Sequence, residues 1–159
     1  METYEIRPFT ANNWLDLKKI RLEALNNHPT FFSPSQDETK FTENDWKMKI
    51  LNPRGCIFGL YFQVKIIGLT GIVIDKENAE VAHLVMSYIK DNFRGLNLSA
   101  FLYESRIEWA KRQSGIKTLT LDINEDNLPS QLACQKHGFK IVHSYIDEGQ
   151  KVLTYHLDL

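Results

Sequence analysis

The segment YIKDNFRGLNLSAFLYESRIEWAK, Tyr88–Lys111, decides the fold because it runs from a strand through a short loop into a helix. A β-like apolar run from Ala82 to Ile89 ends in a polar turn that carries Arg94 and Gly95, and an amphipathic helix follows. The first turn of a helix presents backbone N–H groups and the positive end of the helix dipole, which together bind anions. The segment therefore predicts a site for a phosphorylated ligand, although a core helix after a turn would show the same periodicity.

The helix is predicted from the spacing of its apolar side chains. Leu98, Phe101, Leu102 and Trp109 recur at the intervals that align side chains on one helix face. Gly115 suits the position just beyond a helix end. The loop before the helix lacks the Gly-Lys-Ser/Thr ending of a P-loop and the G-x-G-x-x-G pattern of a dinucleotide fold. It therefore supports neither nucleotide hydrolysis nor dinucleotide binding.

The loop sequence Arg-Gly-Leu-Asn-Leu-Ser resembles the R/Q-x-x-G-x-G/A motif of the GNAT N-acetyltransferase superfamily. Asn97 stands where that family usually has Gly, and Ser99 stands where it has Gly or Ala. Asparagine adopts the backbone angles of glycine more readily than most residues do, so we expect a glycine-like conformation at Asn97. In the family this loop binds the pyrophosphate of acetyl-CoA. The resemblance thus implies an acetyl-CoA site at Arg94, Gly95, Leu96, Asn97, Leu98 and Ser99.

A second segment, LTLDINEDNLPSQLACQKHGFKIV (Leu119–Val142), resembles the family's strand followed by N-x-x-A-x-x-L-Y-x-K-x-G-F. By this resemblance Asn127 and Ser130 belong to the cofactor site. Cys134 occupies the position of a tyrosine that in the family donates a proton to the departing thiolate of coenzyme A. A thiol, with an ordinary pKa of about 8.5 against about 10 for tyrosine, could take that role. Cys134 could equally be a small buried hydrophobe, which is the usual role of cysteine.

Composition bounds the class of protein. The 159 residues suit one domain, predicted over residues 1–159. Apolar residues make up 43% and charged residues 25%, as in soluble globular proteins, and the net charge of −1 gives no reason to expect nucleic acid or a membrane as partner. Two cysteines and the lack of a signal-like or spanning apolar run predict a cytoplasmic protein. The five histidines show no metal-ligand spacing, so no metal is expected.

Apolar patterns and turn signals outside the two motifs predict the remaining elements. Together with the resemblance, their order implies the GNAT fold, an α/β (α+β mixed) class with a single twisted mixed β-sheet and helices on both faces. We expect a hairpin turn at residues 64–65 and another at residues 148–149. The strands are predicted near residues 3–8, 56–63, 66–74, 81–89, 140–146 and 151–157, with one more from residue 119. The helices are predicted from about Asn12 or Asn13, a good cap, to about Asn27, from the end of a cap region at residues 42–45 to about residue 51, from about residue 98, and from Pro129 to Gly138.

Acyl transfer from a thioester to an amine needs a polarised carbonyl, a neutral amine and a way to release the thiolate. The resemblance assigns the first need to backbone groups of the fourth strand, Ser87, Tyr88 and Ile89, which pair with pantetheine and point towards the acetyl oxygen. It places a base near His83, where the family often has a carboxylate, and histidine is a competent base near neutral pH. A half-buried structural histidine, Glu80 as the base, and a water relay are the alternatives.

Phe31 and Phe32 fall in the stretch that walls the acceptor site in the family, so they are assigned to acceptor binding, although adjacent aromatics are more often core residues. The predicted function is acetyl-CoA-dependent transfer of an acetyl group to a primary amine of a small molecule or peptide, by direct attack on the thioester, in a monomer or homodimer. The alternative is a non-catalytic acyl-CoA-binding sensor or interaction module, because Asn97 and Cys134 depart from the family pattern.

Overall fold

The computed structural model describes residues 3–27 and 37–159. Three short 3-10 turns lie at Ala11–Asn13, Glu38–Lys40 and Asp91–Phe93. In these parts of the chain the strands and α-helices are β1 (Tyr4–Pro8), α1 (Trp14–Asn27), α2 (Glu43–Ile50), β2 (Gly55–Phe62), β3 (Lys65–Ile74), β4 (Val81–Ile89), α3 (Ser99–Arg112), β5 (Thr118–Asn124), α4 (Leu128–Lys136), β6 (Lys140–Asp147) and β7 (Gln150–Asp158).

The strands form one mixed sheet in the order β1-β2-β3-β4-β5-β7-β6. β4 and β5 are parallel, whereas β1 with β2, β5 with β7, and β6 with β7 are antiparallel. Parallel neighbours need a crossover connection, which α3 supplies between β4 and β5. The sheet and its helices confirm the predicted α/β class with a mixed sheet.

Capping interactions explain where the first two helices begin. The Thr42 hydroxyl accepts a hydrogen bond from the Asp45 backbone N–H at 3.2 Å, and the Asp45 carboxylate accepts one from the Thr42 N–H at 2.9 Å. This capping box confirms the predicted cap region, and α2 begins at Glu43, inside that region instead of after it. The predicted cap of the first helix is corrected, because Asn13 instead closes the preceding turn by accepting from the Thr10 N–H at 2.6 Å. α1 then begins at Trp14.

The chain forms two compact units, and the first comprises Met1–Gly71 with Met86–Leu102. In this unit, neighbouring residues of β2 face two different cores, as the two-residue period of a strand requires. Tyr61 packs with buried side chains of α1 and α2, among them Leu17 and Trp46. Leu60 packs on the opposite face with Leu98 and Leu102, at the start of α3. Helices therefore cover both faces of the sheet in the first unit.

The second unit comprises Ile72–Val85 with Tyr103–Leu159. The register of β5 with β7 sorts their side chains onto an apolar face and a polar face. On the apolar face, α4 packs against β7, where the Gln135 amide donates to the Tyr155 hydroxyl at 3.2 Å. The polar face carries Thr120, Asp122, Thr154 and His156. The single domain over residues 1–159 stays a prediction.

Two hairpin turns were expected from sequence. Glu148 and Gly149 have φ angles of 49° and 80°, as a two-residue turn of type I′ requires, so the predicted β6–β7 hairpin is confirmed. The earlier turn lies one residue before its predicted position, at Gln63 and Val64. Gln63 adopts a φ of 57° there, and its N–H donates to the Thr3 carbonyl at 2.9 Å. That bond holds the turn at a place that its residue types do not specify.

Candidate active site

The loop between β4 and α3 has the backbone conformation that its glycine and asparagine predict. The φ angles of Gly95 and Asn97 are 77° and 61°, both in the left-handed region. Glycine enters this region at no steric cost, and asparagine tolerates it better than most residues. A Cβ built on Gly95 would have nothing within 4 Å among the described residues, so its conformation, not crowding, favours glycine. The expected glycine-like conformation of Asn97 is confirmed.

Arg94 ties this loop to the end of β4. Its Nε donates to the Ile89 carbonyl at 3.0 Å and lies 3.3 Å from a carboxylate oxygen of Asp91. Its guanidinium carbon lies 5.8 Å from the centre of the Tyr88 ring. These contacts hold the turn that leads into α3.

The start of α3 is anchored by a buried residue, and the loop before it is exposed. Leu98 is buried at 5% exposure and belongs to the core of the first unit. The Phe101 N–H donates to the Leu98 carbonyl at 3.1 Å, which closes the first turn. Gly95, Leu96 and Asn97 are exposed. An exposed loop with left-handed residues, leading into a fixed helix start, is a geometry that binds phosphate groups.

The second half of β4 contains an irregularity. Met86 has a φ of 60° inside the strand, a left-handed conformation that interrupts the regular alternation of side chains. The register of β4 with β5 runs from Val81–Thr118 to His83–Thr120. Residues 84–89 extend β4 beyond that register, and they include the predicted pantetheine positions Ser87, Tyr88 and Ile89.

Those three positions are held by side-chain and backbone contacts within the first unit. The Ser87 hydroxyl lies 2.7 Å from the Thr70 hydroxyl. The Tyr88 hydroxyl donates to the Glu23 carboxylate at 2.8 Å, and burial together with this bond raises the pKa of Tyr88 to about 12. A Cβ on Gly68 would lie 2.7 Å from the Tyr88 carbonyl oxygen, so β3 and β4 approach each other closely there.

The proposed base, His83, lies in the second unit and pairs with an aspartate. Its Nε2 lies 2.7 Å from Oδ1 of Asp75, and the other carboxylate oxygen, Oδ2, accepts from the N–H groups of Glu77 and Asn78 at 3.0 and 2.9 Å. The His83 hydrogen bond, followed by those two backbone bonds, lowers the pKa of Asp75 to about 2. A carboxylate only accepts hydrogen bonds, so the pair favours the tautomer with hydrogen on Nε2 and leaves Nδ1 as an acceptor.

Sequence reasoning did not find Asp75. The acidic turn Asp-Lys-Glu-Asn after β3 signals a side-chain-capped turn. It does not signal the contact with His83, eight residues later. The alternative base Glu80 forms an ion pair with Lys117 at 2.8 Å, which raises the pKa of that lysine.

The residues of the second motif lie together on α4. Asn127 caps this helix, since its Oδ1 accepts from the Ser130 N–H at 3.3 Å. Cys134, one turn further along, is fully buried, and its thiol donates to the Gln131 carbonyl at 3.4 Å. Burial raises the pKa of Cys134 to about 12. This environment favours the reading of Cys134 as a buried hydrophobe, because a thiol with so high a pKa is a poor proton donor to a thiolate of ordinary basicity.

The predicted site residues are thus distributed over both units. Residues 87–89 and 94–99 are consecutive parts of the first unit, whereas His83, Asn127, Ser130 and Cys134 belong to the second. The predicted acceptor residues Phe31 and Phe32 lie outside the described residues. Over residues 3–27 and 37–159, histidine, cysteine, aspartate and glutamate side chains form no group of three that could hold a metal ion. None of the helices in those ranges has both the length and the apolar character needed to cross a bilayer.

Solved structures with the same fold are numerous and distant in sequence. A GNAT-family acetyltransferase from Streptococcus pneumoniae superposes with a TM-score of 0.81 at 22% identity, covering 99% of this chain and 100% of that chain. An N-acetyltransferase from Staphylococcus aureus Mu50 gives 0.80 at 18% identity, with 98% of each chain covered. The PaiA N-acetyltransferase from Thermoplasma acidophilum, solved in complex with coenzyme A, gives 0.72 at 19% identity, covering 96% and 98%.

Comparison by sequence identifies a family but no individual relative. No curated protein is significantly similar to this chain. The sequence profile of the acetyltransferase (GNAT) family, however, matches residues 18–139. That range contains both loop motifs and all four strands from β2 to β5. The chain belongs to the GNAT acetyltransferase family.

Proposed function

We propose that the chain is an N-acetyltransferase that transfers the acetyl group of acetyl-CoA to a primary amine of a small molecule or peptide. The observation that carries this proposal is the pair of left-handed residues, Gly95 and Asn97, between the end of β4 and the start of α3. The left-handed conformation of Asn97, at an exposed helix start, carries a backbone cost that the binding of a ligand there would offset. Family membership adds coenzyme A as that ligand.

The residues of the candidate site are of kinds that can bind the pyrophosphate and the pantetheine of coenzyme A. The backbone N–H groups of residues 94–99 would hold its pyrophosphate at the positive end of α3. The backbone of Ser87, Tyr88 and Ile89, on the part of β4 beyond its register with β5, would pair with the pantetheine as an added strand does. Asn127 and Ser130 would line the cofactor from α4. Backbone recognition explains why the family motif tolerates Asn97 in place of glycine.

Proton transfer falls to His83 in this mechanism. When bound, acetyl-CoA supplies a thioester whose carbonyl carbon can accept a neutral amine. Asp75 holds Nε2 of His83, so that Nδ1 can take a proton from the amine, directly or through one water. The carboxylate also stabilises the imidazolium that forms, which is the role of an aspartate that orients a catalytic histidine.

Cys134 contributes packing to this mechanism and no proton. Its full burial and raised pKa leave protonation of the departing thiolate to solvent. The absence of the family tyrosine at this position also favours a second candidate function, that of an acyl-CoA-binding sensor. The two candidates differ in one measurable property, namely the release of free thiol in the presence of an amine.

The test has two arms. Isothermal titration with coenzyme A measures binding, and a thiol reagent measures coenzyme A release from acetyl-CoA with a panel of primary amines. The proposed function requires both binding and amine-dependent thiol release. Binding without release on the whole panel would identify a sensor. The absence of binding at millimolar coenzyme A would refute the cofactor site itself.

A further inference from the structure

The polar face of the second unit carries a carboxylate that the family motifs do not assign. Asp122 of β5 pairs in register with Thr154 of β7, and both side chains lie on this face. Asp122 is exposed, although Thr154 beside it is buried at 6% exposure. The opposite face of the same strands is apolar and is covered by α4. A carboxylate at the centre of a strand pair therefore faces away from the core.

Two neutral donors fix the orientation of this carboxylate. The Tyr145 hydroxyl donates to Oδ2 of Asp122 at 2.8 Å, and the Thr154 hydroxyl donates to Oδ1 at 2.7 Å. Burial, followed by the bond to Asp122, raises the pKa of Tyr145 to about 12, so the phenol remains a donor at neutral pH. Among the described side chains, no lysine, arginine or histidine forms an ion pair with Asp122. The negative charge is therefore held in a fixed position without an ion pair among the residues that the structure describes.

The proposed base lies on the same face. His83 pairs in register with Thr120, which is two residues before Asp122 on β5. Strands lie about 4.8 Å apart and rise about 3.3 Å per residue, which places the Cα atoms of His83 and Asp122 about 8 Å from each other. A short flexible molecule can reach both side chains at once.

The charge of Asp122 indicates what it would bind. A carboxylate next to the reacting ammonium would raise the pKa of that ammonium and oppose the deprotonation that attack requires. A second, non-reacting cation carries no such penalty. We propose that Asp122 binds a second cationic group of the acceptor, so that the favoured acceptor is a diamine or an amine with a comparable positive group. This inference rests on the proposed transferase function, and it deepens that function by naming a class of substrate.

The test compares two acceptors that differ only in the second charge. Diaminobutane with terminal amines and aminobutane are assayed by thiol release with the wild type, with Asp122→Asn and with the control Asp158→Asn. Asp158 is an exposed carboxylate at the far end of the same face, bonded to the Thr118 hydroxyl at 3.3 Å. Hydrogen bonds to a charged group support an expected rise in KM for diaminobutane of roughly tenfold or more in Asp122→Asn. The rates with aminobutane, and both rates in Asp158→Asn, should stay at wild-type values.

Several outcomes would overturn the inference. Equal kcat/KM for diaminobutane in the wild type and Asp122→Asn would do so, as would an equal loss for both acceptors. Tyr145→Phe keeps the carboxylate and removes one of its two donors, so it should raise the KM for diaminobutane by less than the loss of the carboxylate would. This variant takes the place of Asp122→Asn in the test if Asp122→Asn fails to fold. If coenzyme A binds but no amine releases thiol, the transferase proposal fails. The inference is then decided by titrating diaminobutane into the coenzyme A complex. Binding to the wild type that is lost in Asp122→Asn supports the inference, and the absence of binding to the wild type refutes it.

Discussion

Replacing Gly68 with alanine should weaken coenzyme A binding by displacing β4. A Cβ at this position would lie 2.7 Å from the Tyr88 carbonyl oxygen and 3.5 Å from the Ile89 Cα, and both are backbone atoms that no side-chain rotation can move. Carbon–oxygen contacts of this kind settle at about 3.3–3.6 Å. The two strands must therefore separate by about 0.6 to 0.9 Å at the residues proposed to hold pantetheine.

This displacement sets the expected magnitudes. Overpacking of a buried position costs about 1–3 kcal/mol of unfolding free energy, or roughly 2–12 °C in Tm for a chain of this size. Loss of one backbone hydrogen bond to the ligand, at about 0.5–1.5 kcal/mol, raises the Kd for coenzyme A by roughly two- to twelvefold. Isothermal titration and thermal unfolding measure the two effects separately.

Two other glycines provide matched controls. Gly115→Ala meets its nearest atom, the Ala79 carbonyl oxygen, at 3.9 Å, so it should leave both Tm and Kd unchanged. Gly59→Ala meets side-chain atoms of Phe9 and Tyr61 at 2.7 and 2.9 Å, so it should lower Tm with little effect on Kd. If Gly68→Ala lowers Tm and yet binds coenzyme A as tightly as the wild type, the proposed role of the β4 backbone is refuted.

Four further predictions follow from the site. Asn97→Gly should keep or improve the affinity for coenzyme A, whereas Asn97→Val should weaken it, since left-handed angles cost about 1–2 kcal/mol in ordinary residues; titration giving three equal Kd values would contradict this. His83→Gln should lower kcat by about 10²–10⁴ with little change in coenzyme A affinity, and an unchanged rate and pH profile would place the base elsewhere. Cys134→Ala should change kcat by less than about tenfold, and a larger loss in a folded variant would make the thiol a proton donor. The pKa of Asp75 falls from its ordinary 3.8 to about 2 in the folded state, so the stability that this carboxylate contributes is complete above a pH of about 4 and is lost as the pH falls through about 2. NMR titration should show that the pKa of Asp75 is higher in His83→Gln than in the wild type, and an unchanged pKa would refute the pairing.

The features that sequence could predict are local ones. The Thr42 capping box, the Glu148–Gly149 turn and the left-handed Asn97 are each specified by residue types within a few positions of one another. The element order follows from periodicity, which is also local. These signals suffice for the fold because each element is consistent with its neighbours.

The features that sequence missed depend on contacts between distant positions. Tyr88 is fixed by a hydrogen bond to Glu23, 65 residues away, and neither residue type indicates the other. Asp75 contacts His83 only because the turn between β3 and β4 brings them together. The role of Cys134 stayed open in the sequence because burial, which raises its pKa, is a property of the packed structure.

The left-handed Met86 bears on how this strand can evolve. Side chains alternate along a strand with a period of two, so deleting one residue at this position would exchange the faces of every residue from Ser87 to Ile89. The Tyr88 ring would then leave the cluster it shares with Leu17 and Trp46. Substitution at Met86 by glycine or asparagine keeps both the length and the conformation. Related sequences should therefore vary in residue type at this point of β4 while keeping its length constant.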